Sequence, residues 1–352
     1  MPGVWRNHAL AGGVTAAVLP QLRGQRAAGA ALVGALALAT AACGGNSGES
    51  GRPTETQPFD CPARTTGDQV VTIFHETHTH GRLAGTHERE HNVPFARFVG
   101  LWKALRSCLA QPDASLFVGN GDDLSIDLNG VVTEGEHTIA AFNAAEVDVN
   151  TFGFSETEVL GVLRERVAAS QFTWVSANVR EADSPDEVFA AAQGARPWVI
   201  EEVGGVQVGI TGLRGVRFSP DYPPREEEGI RVVDEVKAMK QVLPQMRAEG
   251  AQVVVLLSHM SHEDTLRVVR AVKGIDVALG THVGPPTLEP DEVDGTIVAV
   301  AGPDELQGLG QLDLIVRDGS IEDYVWRRHV PSPSDPVDRR VQAVVADYLR
   351  AA

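Results

Sequence analysis

Four apolar runs in this chain end in histidine or aspartate, and no other feature limits its fold as tightly. Gln69–His75 leads into Glu76-Thr77-His78-Thr79-His80-Gly81-Arg82-Leu83, and Ser115–Val118 into Gly119-Asn120-Gly121-Asp122-Asp123. Gln252–Leu257 leads into Ser258-His259-Met260-Ser261-His262, and Asp276–Leu279 into Gly280-Thr281-His282-Val283-Gly284-Pro285. Short apolar runs bounded by turn residues predict buried strands. In an open α/β sheet, ligands bind beyond the carboxyl ends of such strands. One histidine, or one Asp beside a glycine, is commonplace in a turn. Four at equivalent places are far less expected by chance.

Helices alternate with these strands, as an α/β core requires. Pro94 to Leu109 has helical spacing, with Phe98, Leu101, Trp102 and Leu105 on one face. Further helices are predicted at Glu136–Ala145, Glu156–Ala168, Val232–Ala248, His262–Val272 and Pro336–Leu349, with Pro244 kinking the third of these. Further strands are predicted at Val147–Thr151, Phe172–Ala177, Trp198–Glu202, Val206–Gly212, Thr296–Val300, Gly310–Val316 and Ile321–Trp326. Gly204-Gly205 and Asp318-Gly319 mark hairpin turns.

The residue types at the strand ends suit a cation. His78 and His80 alternate in an irregular loop and can face one metal. Asp122, flanked by glycine, can bridge two cations. His259 and His282 each follow a strand directly. His87, His91 and Asp123 are candidates to complete a ligand shell. No Gly-x-x-x-x-Gly-Lys phosphate loop and no Gly-x-Ser-x-Gly elbow occurs in the 352 residues, which argues against a nucleoside triphosphatase and a serine hydrolase.

The chain starts with Arg6, Arg23 and Arg26 and no acid before Cys43, then an apolar stretch, Ala27–Ala39. That stretch has the length of a signal-peptide core. Thr40-Ala41-Ala42-Cys43 resembles a bacterial lipobox, so residues 1–42 are expected to be removed and Cys43 lipidated. Export to the bacterial cell envelope follows, with residues 43–67 as a flexible tether. In such a compartment Cys61 and Cys108 either pair or stay as two buried thiols. The net charge of −17 disfavours nucleic-acid polymers and anionic membranes as partners. Small phosphorylated substrates remain compatible, because a bound divalent ion reverses the field locally. A monomer touching the membrane only through its lipid is expected.

Taken together, these segments resemble the N-terminal domain of bacterial 5′-nucleotidases and 2′,3′-cyclic-nucleotide phosphodiesterases, within the calcineurin-like metallophosphoesterases. The family's opening His-Thr-Asn-Asp-Thr-His-Gly-Arg-Leu falls on His75 to Leu83, and its Gly-Asp on Gly121-Asp122. Its Asp-Ala-Val-Thr-Leu-Gly-Asn-His-Glu falls on Asp148 to Glu156, after Asn143-Ala144. Phe172-Thr173-Trp174-Val175-Ser176-Ala177-Asn178-Val179 resembles its Phe-Pro-Trp-Leu-Ser-Ala-Asn-Val. Its Gly-His-Ser-His falls on Thr281 to Gly284. The likeness runs from about residue 69 to 350 and takes in no counterpart of the domain with which larger members hold the nucleotide base.

The resemblance implies a four-layer α/β sandwich: two mixed sheets flanked by helices. It spans residues 68–330, with a helix in 331–352. It also implies a metal-activated water that hydrolyses a phosphoester, with one or two divalent transition ions (Mn, Zn or Fe). One ion would see His78, His80 and Asp122, and the other Asp122, His259 and His282. The chain departs from the family at four places. His78 replaces a ligand aspartate, Phe154 a ligand asparagine, and Gly284 a ligand histidine. Ser155 replaces the catalytic histidine. A catalytically impaired protein that binds metal or a phosphorylated ligand without turnover is the alternative.

Overall fold

In this computed structural model the apolar runs pair into two six-stranded sheets. The structure describes residues 61–67, 69–84, 94–218, 221, 229–280, 282, 285–302 and 306–351. Cys43, His87, His91 and Gly284 lie outside them, as do residues 1–42.

The strands are β1 (Gln69–His75), β2 (Ser115–Val118), β3 (Val149–Thr151), β4 (Thr173–Val175), β5 (Val179–Glu181), β6 (Val199–Val203) and β7 (Val206–Arg214). They continue with β8 (Ile230–Val232), β9 (Val253–His259), β10 (Val277–Leu279), β11 (Asp291–Val293), β12 (Thr296–Ala299), β13 (Leu309–Arg317) and β14 (Ser320–His329). The helices are α1 (Phe95–Cys108), α2 (Leu128–Val132), α3 (Glu136–Ala145), α4 (Leu160–Ala169), α5 (Glu235–Ala248), α6 (His262–Ala271) and α7 (Arg339–Ala351).

The first sheet runs β14-β13-β1-β2-β3-β4 and the second β11-β12-β10-β9-β7-β6, while β5 and β8 pair separately. Strands β1 to β4 are mutually parallel, as are β7, β9, β10 and β12, with antiparallel strands at the margins.

Alternation of side chains explains the layering. Val71 and Ile73 of β1 face the second sheet, among Val208, Ile210, Val253, Val255 and Leu257. Phe74 of the same strand faces helices α1, α3 and α7, among Phe98, Trp102, Phe142 and Val341. On the far side, Val254 and Leu256 of β9 meet Met239, Val242 and Val268 of α5 and α6. β9 is buried along its whole length, as a central parallel strand must be. The sheets approach closely at Gly212, where a Cβ would sit 1.9 Å from Thr151 Oγ1.

Differences from the sequence reading have local causes. The helix expected at Glu156–Ala168 splits into a 3₁₀ turn, Ser155–Val159, followed by α4. Glu156 spends its carboxylate on neighbouring backbone N–H groups and cannot sit in a regular first turn. The helix expected from Val232 starts at Glu235, because Asp234 caps it through Lys237 N at 2.8 Å. Strands β5, β8 and β11 and helix α2 were not foreseen.

Cys61 and Cys108 are joined by a disulfide, which ties the segment before β1 to the end of α1. Among the described residues, no helix is long and apolar enough to cross a membrane.

Candidate metal centre

The carboxyl ends of the two parallel strand sets meet at one place, and four of the predicted residues converge there. Asp122 follows β2, His259 ends β9 and His282 follows β10. Asp122 Oδ2 lies 3.1 Å from His259 Nε2, 3.4 Å from His282 Nε2 and 3.7 Å from His80 Nε2. Ligand atoms of Asp122, His259 and His282 all lie within 4.8 Å of one another, and all three residues are buried. The His78 ring stands 4.6 Å from that of His80 and 6.2 Å from those of His259 and His282. His78 is thus beside the cluster, outside its tightest group.

Backbone groups orient the ligands. His259 Nδ1 donates to the Asn120 carbonyl at 2.8 Å, and His282 Nδ1 to the Phe218 carbonyl at 3.4 Å. In a neutral ring this turns the Nε2 lone pair toward Asp122. His259 Nε2 is buried and finds no hydrogen-bond partner. The Nε2 atoms of two imidazoles and a carboxylate oxygen therefore face one another, a donor set that suits a cation. Imidazoles anchored through their far nitrogen are the usual form of metal-ligating histidine. The residues present fit a divalent ion.

Charge reinforces that reading. Burial alone would raise the Asp122 carboxyl, but His259, His80 and His282 outweigh it and hold it well below the usual carboxylate range. Burial and the charge of His259 lower His282 to about 4. Burial and then His80 lower His78 well below its ordinary value. The imidazoles of His78 and His282 are thus kept neutral, as ligands must be.

The loops pay for this geometry in backbone conformation. Asp122 and His80 adopt left-handed φ of 59° and 52°. Each such non-glycine residue costs on the order of 1–3 kcal/mol and is concentrated at functional sites. His80 N donates to Asp122 O at 2.8 Å, locking the two loops together. Gly153 is required beside them, since a Cβ there would sit 2.4 Å from Asp122 Oδ1 and 2.9 Å from His259 Nε2.

Asp123, expected to complete a ligand shell, does not join the cluster. Its Oδ1 accepts from Thr79 N at 2.9 Å and its Oδ2 from Asn150 Nδ2 at 2.9 Å. The Ser155 side chain is buried and its Oγ finds no partner, while Ser155 N donates to Asp122 Oδ1 at 2.6 Å. Phe154 packs its ring 4.9 Å from His282 and 5.5 Å from His259, with the Arg214 guanidinium 4.2 Å above it.

Glu156 was matched in sequence but given no role. It accepts from Asp122 N, Asp123 N and Gly153 N at 2.7–2.9 Å, so it shapes the Asp122 loop. Its pKa is raised, as are those of Glu76 and Asp123, by burial first and then by one another's charge or that of Asp122. The glutamate after the family's Asn-His pair was the available signal. Phe218, whose carbonyl orients His282, carried none.

This architecture, with His and Asp at the strand ends, is the calcineurin-like phosphoesterase fold. The calcineurin-like phosphoesterase YfkN of Bacillus subtilis superposes with a TM-score of 0.66 at 20% identity, covering 80% of this chain and 97% of that one. The sulfate thiohydrolase SoxB of Thermus thermophilus gives 0.70 at 18%, covering 83% and 62%. The 5′-nucleotidase precursor of Thermus thermophilus gives 0.67 at 21%, covering 80% and 59%.

In sequence, the chain is similar to the probable 5′-nucleotidase of Treponema pallidum, 26% identical over 221 residues. That alignment covers 60% of this chain and 36% of the relative. It is 25% identical over 227 residues to the human 5′-nucleotidase, covering 61% and 38%. The chain thus spans little over a third of the length of these curated relatives. No family model matches it.

Proposed function

We propose that the protein is a metal-dependent hydrolase of small phosphoesters. The observation that carries this reading is the buried convergence of Asp122, His259 and His282, with His259 Nε2 lacking a hydrogen-bond partner. Its sequence relatives are 5′-nucleotidases, which supports a phosphoester as the bond cleaved.

Asp122, His259 and His282 would hold the ion, with His80 and His78 beside them. When bound, a divalent ion supplies Lewis acidity toward a phosphoryl oxygen and lowers the pKa of water. The chain's own residues do the rest. Asn120 and Phe218 carbonyls hold the two imidazoles in their ligating tautomer. Glu156 and Ser155 N fix the Asp122 loop so that one carboxylate oxygen faces inward. Burial keeps bulk water from competing for these groups.

Ser155 stands where the resemblance places a catalytic histidine, so no imidazolium lies there to assist the leaving group. Phe154 adds an apolar ring beside the ligands. These two observations favour slow turnover, and they are what a ligand-binding protein without turnover would also show.

Export and attachment through a lipid at Cys43 belong to the same proposal, and the Cys61–Cys108 disulfide suits an oxidising compartment.

The discriminating experiment is hydrolysis of an aryl phosphate in Mn²⁺, Zn²⁺ and chelator. A metal-dependent rate that disappears in Asp122→Asn supports the hydrolase. A rate indistinguishable from buffer in every metal leaves the binding reading.

A further inference from the structure

We propose that the centre holds one divalent ion, bound by Asp122, His259 and His282, rather than the pair that the strand-end motifs suggest. This inference rests on the metal-dependent reading above and deepens it.

Three observations separate the two halves of the cluster. Only Asp122, His259 and His282 bring three ligand atoms within 4.8 Å of one another among the described residues; no such group includes His78 or His80. Both histidines of that trio are anchored through Nδ1 by a backbone carbonyl. The His78 ring stands 6.2 Å from those of His259 and His282, outside the trio.

The third observation is charge. A pair of divalent ions would bring four positive charges into a buried site whose ligand shell, among the described residues, supplies a single carboxylate. Uncompensated charge in a buried site is strongly disfavoured. The other buried acids nearby are not ligands among the described residues. Asp123 and Glu156 turn every carboxylate oxygen to an N–H group. Glu76 accepts from Asn120 N through Oε1, its Oε2 is buried without a partner, and it joins no group of three ligand atoms. One ion against one carboxylate leaves a single net charge, which a phosphoester can compensate. The weaker position is at His78, where the resemblance implies a ligand aspartate and an imidazole stands instead.

The test is metal stoichiometry joined to electron paramagnetic resonance on the full folded protein loaded with Mn²⁺ and freed of excess. One Mn²⁺ per chain with an isolated six-line spectrum is expected. It should be lost in His259→Ala and kept in His80→Ala. The His78→Asp variant restores a second carboxylate and should take up a second ion, with an exchange-coupled multiline spectrum. Circular dichroism establishes that each variant is folded. Two coupled ions in the unaltered protein would overturn the inference and leave the hydrolase reading intact. Loss of Mn²⁺ in His80→Ala, or a stoichiometry unmoved by His78→Asp, would also overturn it. No Mn²⁺ or Zn²⁺ bound at all would overturn both.

Discussion

Phe154 and Ser155 are two adjacent side chains on which the rate of the proposed chemistry turns. General acid–base assistance contributes typically ~10²–10⁴-fold, and Ser155 cannot give it as a cation. The Phe154→Asn, Ser155→His double variant is therefore expected to raise kcat/KM on a phosphate monoester by about 10- to 100-fold. The gain should be larger for alkyl than for aryl leaving groups. Removing a buried ring costs about 3 kcal/mol or more, so rates are normalised to folded protein. An unchanged ratio of alkyl to aryl rates would refute the assignment of position 155.

His75 poses a different problem, for it is buried with neither ring nitrogen paired. Burial lowers its pKa to about 4. The folded ring stays neutral while the unfolded ring takes a proton below about 6.5. Stability is thus complete above about pH 6.5 and falls down to about pH 4, by roughly 3 kcal/mol from this group. Urea titrations of His75→Leu should show that loss removed, and an identical pH slope in both proteins would contradict the account. The ligand residues Asp122, His259 and His282 were legible because each sits one step beyond a run of strand-forming residues. His75 was read as the last residue of its strand and the first of the opening motif, and nothing in one dimension shows that Trp326 and Gly310 would close over its ring.

Elements were legible in proportion to their length. β1, β2 and α3 fall where periodicity places them, since seven, four and ten residues carry a clear pattern. β5 and β8 have three residues each and pair across some fifty positions, so neither has a local signature. The disulfide was open in sequence because pairing depends on geometry that spacing does not supply. Its Cα atoms lie 5.6 Å apart and its cysteines 47 positions apart. On the chain-entropy account, a loop of that length stabilises the folded state by about 4 kcal/mol. The Cys61→Ser, Cys108→Ser variant should lose about that much in denaturant titrations, relative to the oxidised protein. The lost stability should appear as a lower midpoint, with aryl phosphate turnover unchanged at 25 °C, because the bridge braces α1 rather than the strand-end loops. A midpoint within experimental error of the oxidised protein would show that the segment before β1 is held by other contacts, such as the Arg64 to Cys108 carbonyl hydrogen bond at 2.8 Å.

At the scale of the whole molecule, the site is a joint between sheets. Asp122 belongs to the first sheet by way of β2, and His259 and His282 to the second by way of β9 and β10. The three ligand atoms approach only when the Val71–Val255 layer between the sheets is formed, because they are far apart along the chain. An ion that binds this trio binds the folded state and scarcely the unfolded one. Its stabilisation then follows mass action, about 2.7 kcal/mol when free metal is a hundredfold above Kd. For a domain of this size that moves Tm by several degrees. Differential scanning fluorimetry with Mn²⁺ or Zn²⁺ should therefore show a rise that grows with the logarithm of metal concentration and is reversed by chelator. Asp122→Asn removes the charge without changing the side chain's shape and should abolish the rise. Lys273→Ala, at an exposed pair with Asp294 remote from the ligands, should keep it whole. A metal-dependent rise that survived in Asp122→Asn would mean that the ion sits elsewhere, and that the two sheets meet at these loops for packing alone.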